Sequence, residues 1–202
     1  MTKQFITKTD LISIRKWTDR LIKKYMPVPD EIRNNPHYGR ASEMKLYKIS
    51  RVESIEKNEQ FLIDFQKTML RRKSSEKMVE TKKDNLLIQI SELPISVEII
   101  PRNELITLVI DDYNYNENKY HFKGYSTFRD FDQSKLEKLT VNYIRHELTP
   151  YDYYLKLIES KVGKKEGYRL LIERIYNCIS ESYPELTREC TLQFRRKFYL
   201  NN

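Results

Sequence analysis

FITKTDLISIRKWTDRLIKKYM, residues 5–26, decides the fold. Thr7 and Asp10 stand three residues apart, the spacing of a capping box with Asp in place of Glu, so a short helix opens after Thr7 and ends near Ile14. Arg15 and Lys16 form a turn. Thr18 caps a second helix, which must stop before Pro27 and Pro29 because proline lacks the amide proton that the next backbone bond needs. On the 3.6-residue period Trp17, Leu21, Ile22 and Tyr25 share an apolar side, whereas Arg20, Lys23 and Lys24 share another stripe. Two short helices around a tight turn, the second apolar inside and cationic outside, predict a helix-turn-helix.

Downstream, residues 30–43 (DEIRNNPHYGRASE) are rich in Asn, Pro and Gly, and Met44-Lys45-Leu46-Tyr47 then alternates apolar and polar side chains, the order of a two-stranded wing. Ser50 and Glu53 make a capping box, predicting a helix from Arg51. Ile55, Leu62 and Met69 recur every seven residues, with Val52, Phe61 and Phe65 on the same general side, so this helix should run for roughly 25 residues. Its apolar stripe needs a cover, supplied either by the C-terminal part of the chain or by a twin helix in a homodimer through residues 51–78. Arg71–Asn85 offers few core residues and reads as a hinge or as the helix's solvated end.

Beyond it, LLIQISELPISVEII (residues 86–100) is short, β-branched and interrupted by proline, and so reads as extended. Pro101 suits the first position of a helix through about Tyr113, and a Tyr/Asn-rich loop, YNYNENKYHFKGYSTF, follows. Helical patterns then cover Gln133–Leu148, Pro150–Val162 with Gly163 as a left-handed cap, Lys164–Ser182, and a last helix from Pro184. The expected fold class is mainly α, with a winged helix-turn-helix over 1–56, a long helix and linker over 57–85, and a helical dimerisation or partner-binding domain over 86–202.

Charge is distributed unevenly. The chain carries a net +8, yet residues 1–52 hold 12 Lys/Arg against 5 Asp/Glu, and residues 91–202 balance at 17 against 17. Cation–phosphate contacts supply most nucleic-acid affinity, so a polyanionic partner is expected at the first quarter. There is no apolar run long enough for a membrane span and the amino end lacks the apolar core of a secretory signal, so the chain is expected in the cytoplasm. Cys178 and Cys190, without a CxxC pair, are expected as buried apolar fillers rather than metal ligands.

The strings Phe5-Ile6-Thr7-Lys8-Thr9-Asp10, Asn35-Pro36-His37 and, six residues on, Met44-Lys45-Leu46-Tyr47 resemble the DNA-binding subdomain of the xeroderma pigmentosum group A repair family. There a similar ITKTE string precedes an NPH…MKLY segment of the same spacing. The order of helix-turn-helix, wing and long helix is also similar to the MerR/excisionase winged-helix group. The resemblance spans residues 5–56. The repair family's four-Cys zinc site has no counterpart ahead of that segment, since the first cysteine is Cys178. VNYIRHELTPYDYYL and SYPELTREC resemble helical stretches of uncharacterised bacterial proteins, which imply no activity. The repair-family resemblance implies that Thr7 and Lys8 at the first helix, and Lys45 and Tyr47 at the wing, lie near the phosphodiester backbone; His37 and Tyr47 equally suit wing packing.

The expected DNA-binding set is Thr7, Lys8, Thr18, Arg20, Lys23, Lys24, Tyr38, Arg40, Lys45 and Tyr47, with the second helix in the major groove and the wing on an adjacent backbone or minor groove. Duplex DNA is the expected partner and transcriptional or mobile-element regulation the expected role. The alternative is a protein adaptor or inhibitor using the Tyr-rich C-terminal half. No cofactor or metal is implied, and an enzyme is not expected. Asp111 and Asp112 after LITLVI fall on a helix and point apart, His146 lacks HExxH or CxxC partners, and GxSxG, P-loop and GxGxxG motifs do not occur.

Overall fold

Thr7 ends β1 (Phe5–Thr7) and caps α1 (Lys8–Ser13), its hydroxyl accepting a 3.0 Å bond from the Asp10 amide. Lys16 makes the following turn at φ 60°, a left-handed conformation uncommon outside glycine, and its ammonium donates to the Ser13 carbonyl at 2.6 Å. Thr18 caps α2 (Asp19–Tyr25) by accepting from the Leu21 amide at 3.3 Å. The helix-turn-helix therefore arises where the caps and the proline stop place it. This computed structural model describes residues 4–34, 43–120 and 124–200. It is mainly α with one small antiparallel sheet.

The wing strands are β2 (Glu31–Arg33) and β3 (Met44–Lys48), paired with Ile32 opposite Lys45. β1 adds to the other edge of β3, with Ile6 opposite Tyr47, so the wing is a three-stranded sheet ordered β1-β3-β2. A strand of three residues is too short for alternation to announce it.

Two expectations for the next segment fail. The helix opens at Ile49 with Lys48 as its cap, not behind a Ser50–Glu53 box. Its leading amides already have partners: Lys48 donates to Asp30 Oδ2 at 2.9 Å and Ile49 to the Gln4 carbonyl at 3.2 Å. Nor is there one continuous helix, because α3 (Ile49–Glu56) stops and α4 (Glu59–Ser91) starts anew. Asn58 makes the break, its amide reaching the Ile55 carbonyl at 2.9 Å and its Oδ1 accepting from the Phe61 amide at 3.2 Å. Val52 and Phe61 both join a core with Leu11, Trp17, Leu21, Ile22, Met26 and Tyr47, while the heptad residue Leu62 stays exposed.

The chain divides into two compact units, Met1–Lys77 and Met78–Asn202. The boundary falls within the expected hinge, but that stretch is continuous helix, with residues 70–82 solvent-exposed throughout. LLIQIS, expected as extended, instead forms the last turns of α4, because Leu86 and Ile90 lie four apart on one face and are both buried. Residues 93–101 are irregular, and tyrosines satisfy part of their backbone. Tyr154 donates to the Pro94 carbonyl at 3.0 Å, and Tyr183 donates to the Glu98 carbonyl while accepting from the Ile100 amide.

α5 (Arg102–Tyr120) runs through the first half of the expected Tyr/Asn loop. Asn114 stabilises this by bonding both the amide and the carbonyl of Ser126, at 2.8 and 2.9 Å. Then come α6 (Gln133–Glu147), α7 (Tyr151–Ile158), α8 (Lys164–Ser182), a 3-10 turn at Pro184–Leu186, and α9 (Thr187–Phe198). Val141, Ile144, Leu171, Ile172, Ile175 and Ile179 form the driest part of this unit's core. Among the described residues no helix is long and apolar enough to cross a membrane.

Candidate nucleic-acid interface

α2 is held from its inner side. Leu21 and Ile22 are buried beside Trp17 and Met26, and the Trp17 ring packs 4.5 Å from Phe61, with its indole N–H donating to Glu56 at 2.8 Å. Locking that face orients the opposite one, on which Arg20 and Lys23, one turn apart, are exposed. Neither forms an ion pair among the described residues. Lys24 departs from this stripe. Its ammonium bonds Asp64, which also accepts from the Tyr25 hydroxyl at 2.8 Å, and it lies 5.1 Å from the Tyr25 ring centroid. The Lys24 hydrogen bond, followed by that of Tyr25, holds the Asp64 carboxyl below the usual range.

Lys8 is engaged in the same way, 2.5 Å from Asp19. This pair joins the starts of α1 and α2, raising the ammonium's pKa and lowering the carboxyl's through their shared hydrogen bond. Thr7 and Thr18 have committed their hydroxyls to helix caps. On β3, Lys45 is exposed, whereas Tyr47 is only 2% exposed and packs against the helices. Burial pushes the Tyr47 phenol up, with Lys8 and Arg51 acting against it. Tyr47 is thus a core side chain, not a surface contact: it stands opposite Ile6 and both pack against the helices, whereas Lys45, on the same strand face, stands opposite the exposed Ile32. Tyr38 and Arg40, with His37, lie outside the described residues.

The ten-residue set is therefore not one surface of equivalent contacts. Arg20, Lys23 and Lys45 are exposed and without ion pairs among the described residues, Lys8 and Lys24 are neutralised, Thr7 and Thr18 are caps, and Tyr47 is core. The acidic partners Asp19, Asp64, Asp30 and Glu56 were not singled out by sequence reasoning. The Lys24–Asp64 and Arg15–Glu56 pairs join residues 40 and 41 positions apart, so no local spacing signals them. Arg51 bonds Asp30 and the Val28 carbonyl, tying α3 to the start of the wing. Asp30 stays below the usual carboxyl range: its burial opposes this, but the Lys48 amide and Arg51 outweigh it.

Cys190 is buried and its thiol is pushed up to about 11 by desolvation, while Cys178 is half-buried and also raised by burial. Asp112 accepts from Asn116 on the surface of α5. Among the described residues no group of three or more His, Cys, Asp and Glu could hold a metal ion. Compared with known proteins, the chain matches no family model, no curated protein and no solved structure.

Proposed function

We propose that the N-terminal unit binds duplex DNA, with α2 in the major groove, Arg20 and Lys23 toward the DNA, and Lys45 of the wing beside the adjacent backbone. The carrying observation is the pairing pattern: Arg20 and Lys23 project from a helix locked to the core on its other side and form no ion pair among the described residues, the neighbouring Asp19 being bonded to Lys8 instead. The concentration of positive charge in residues 1–52 supports the same reading. In this reading the chain is a DNA-binding regulator whose C-terminal unit dimerises or holds a partner.

The test is the salt dependence of affinity for duplex DNA. Log K should fall steeply with log salt, and Arg20→Ala, Lys23→Ala and Lys45→Ala should each flatten the slope by roughly one. Lys24→Ala should change it less, since Asp64 already neutralises that ammonium. Binding that ignores salt, or equal slopes for Lys23→Ala and Lys24→Ala, overturns the assignment.

A second reading, partner capture by the C-terminal unit, is favoured by the exposure of Tyr115, Tyr125 and Tyr153, large side chains of the type enriched at interfaces. It is compatible with the first.

A further inference from the structure

In the C-terminal unit, α6, α7, α8 and α9 bring two cations to one patch of tyrosines, and neither cation bonds a carboxylate. Arg145, in the last turn of α6, donates from Nη1 to the Tyr176 hydroxyl at 2.6 Å and from Nη2 to Asn142 Oδ1 at 3.3 Å. Its Nη2 also lies 3.0 Å from His146 Nε2, and its buried Nε has no partner. The guanidinium carbon is 5.5 Å from the Tyr151 ring centroid. Lys197, in the last turn of α9, sets its ammonium 4.8 Å from the Tyr168 ring centroid. The Tyr151 and Tyr168 hydroxyls are 3.2 Å apart, and His146 packs edge-on against Tyr151 at 4.8 Å, so one joined aromatic surface carries Arg145, Lys197 and His146 together.

Arg145 is half-buried, a setting in which a cation is ordinarily paired, whereas Lys197 and His146 are exposed beside it. Among the described residues neither Arg145 nor Lys197 has an ion pair, although Lys83 of the same unit finds Glu166 at 2.7 Å. Following bonds outward from Arg145, the first carboxylate is the buried Glu189, reached only through Tyr176 and Gln193. Asp152 and Glu147 act on His146 electrostatically without bonding either cation. The ends of α6 and α9 favour a cation each through the helix dipole. That effect explains a basic residue in each last turn, but not why both face the same tyrosine pair.

We propose that Arg145, Lys197 and His146 form a binding site for a small oxyanion, a phosphate or carboxylate group, seated against the Tyr151–Tyr168 pair. The anion takes the place of the missing carboxylate, accepting from the Lys197 ammonium and the outer face of the guanidinium, and its negative charge favours protonation of His146, whose Nε2 faces Arg145 in the free site. The electrostatics of the free site agree. Desolvation draws the Lys197 ammonium below the ordinary lysine value, with Tyr151 opposing it and a smaller repulsion from Arg145 adding to it. Burial, then Arg145, with Lys197 adding and Asp152 and Glu147 opposing, holds His146 below 6.5. This site is independent of the DNA reading and belongs wholly to the other unit.

The full chain has three histidines, His37, His121 and His146, whose imidazole signals can be followed by NMR through a pH titration. Titrations in sodium phosphate, sodium acetate and sodium chloride at one ionic strength should show the His146 pKa rising by about one pH unit in the anion that binds, the effect of an opposite charge within contact. The other two histidines serve as references. A response to phosphate alone assigns a phosphoryl group; a response to acetate alone assigns a carboxylate. Lys197→Met, which keeps an apolar stem over Tyr168, should abolish the rise with the circular dichroism spectrum unchanged, and Lys197→Arg should restore it. A His146 pKa equal in all three salts, or a rise that survives Lys197→Met, overturns the site.

Discussion

Asp64 shows how a single carboxylate changes the meaning of a basic stripe. On a helical wheel Lys24 is equivalent to Arg20 and Lys23, but Asp64 lies beside it, so one of the three positive charges is spent within the fold. The pair also sets a pH dependence. Asp64 titrates below its ordinary 3.8 in the folded chain, so its stabilisation is complete above that pH and is lost as pH falls through the lower folded value. Asp64→Asn should therefore lower the melting temperature at pH 7, and the gap from the parent chain should close in strong acid. Thermal melts at pH 7 and near pH 2 check this; a gap independent of pH would mean that the ion pair contributes nothing. Tyr47 carries the same lesson on β3, where its neighbour in the sequence motif, Lys45, faces solvent and it does not.

Among the elements, α4 departs furthest from expectation. Its apolar residues follow a heptad on paper, but the fold interrupts that run at Asn58 and buries Phe61 in place of Leu62. At its far end, α4 contributes Leu86 and Ile90 to the C-terminal core, where α8 approaches closely at Gly167. A Cβ there would stand 2.9 Å from Ile90 Cδ1 and 3.1 Å from Leu86 Cδ2, inside normal contact. Gly167→Ala gains helix propensity of about 1 kcal/mol on an exposed surface, but overpacking typically costs about 1–3 kcal/mol in a filled core. We expect Gly167→Ala to destabilise the chain by about 1 kcal/mol, measured by urea denaturation. Stabilisation instead would show that Ile90 has room to turn aside.

For the molecule as a whole, the units divide within the core-poor stretch 71–85 that the sequence marks as a hinge, although that stretch is continuous helix. Because Leu86 and Ile90 complete the second core, a fragment of residues 78–202 should fold, whereas one of residues 91–202 lacks two buried aliphatic side chains, each worth roughly 2–5 kcal/mol when truncated. Circular dichroism with thermal melting compares them; equal cooperativity would place the boundary later than the contacts do. What the residues specify unaided is whatever depends on neighbours within about four positions. The Thr7 and Thr18 caps, the stop before Pro27, Lys164–Ser182 and the charge excess at the amino end are of that kind. The tertiary structure decided the rest: β1, the break at Asn58, the helical state of Leu86–Ser91, the neutralisation of Lys8 and Lys24, and the placing of Arg145 and Lys197 on the joined rings of Tyr151 and Tyr168. These depend on partners remote in sequence, and a side chain's spacing records its own helix or strand, not the charge or surface that folding sets against it.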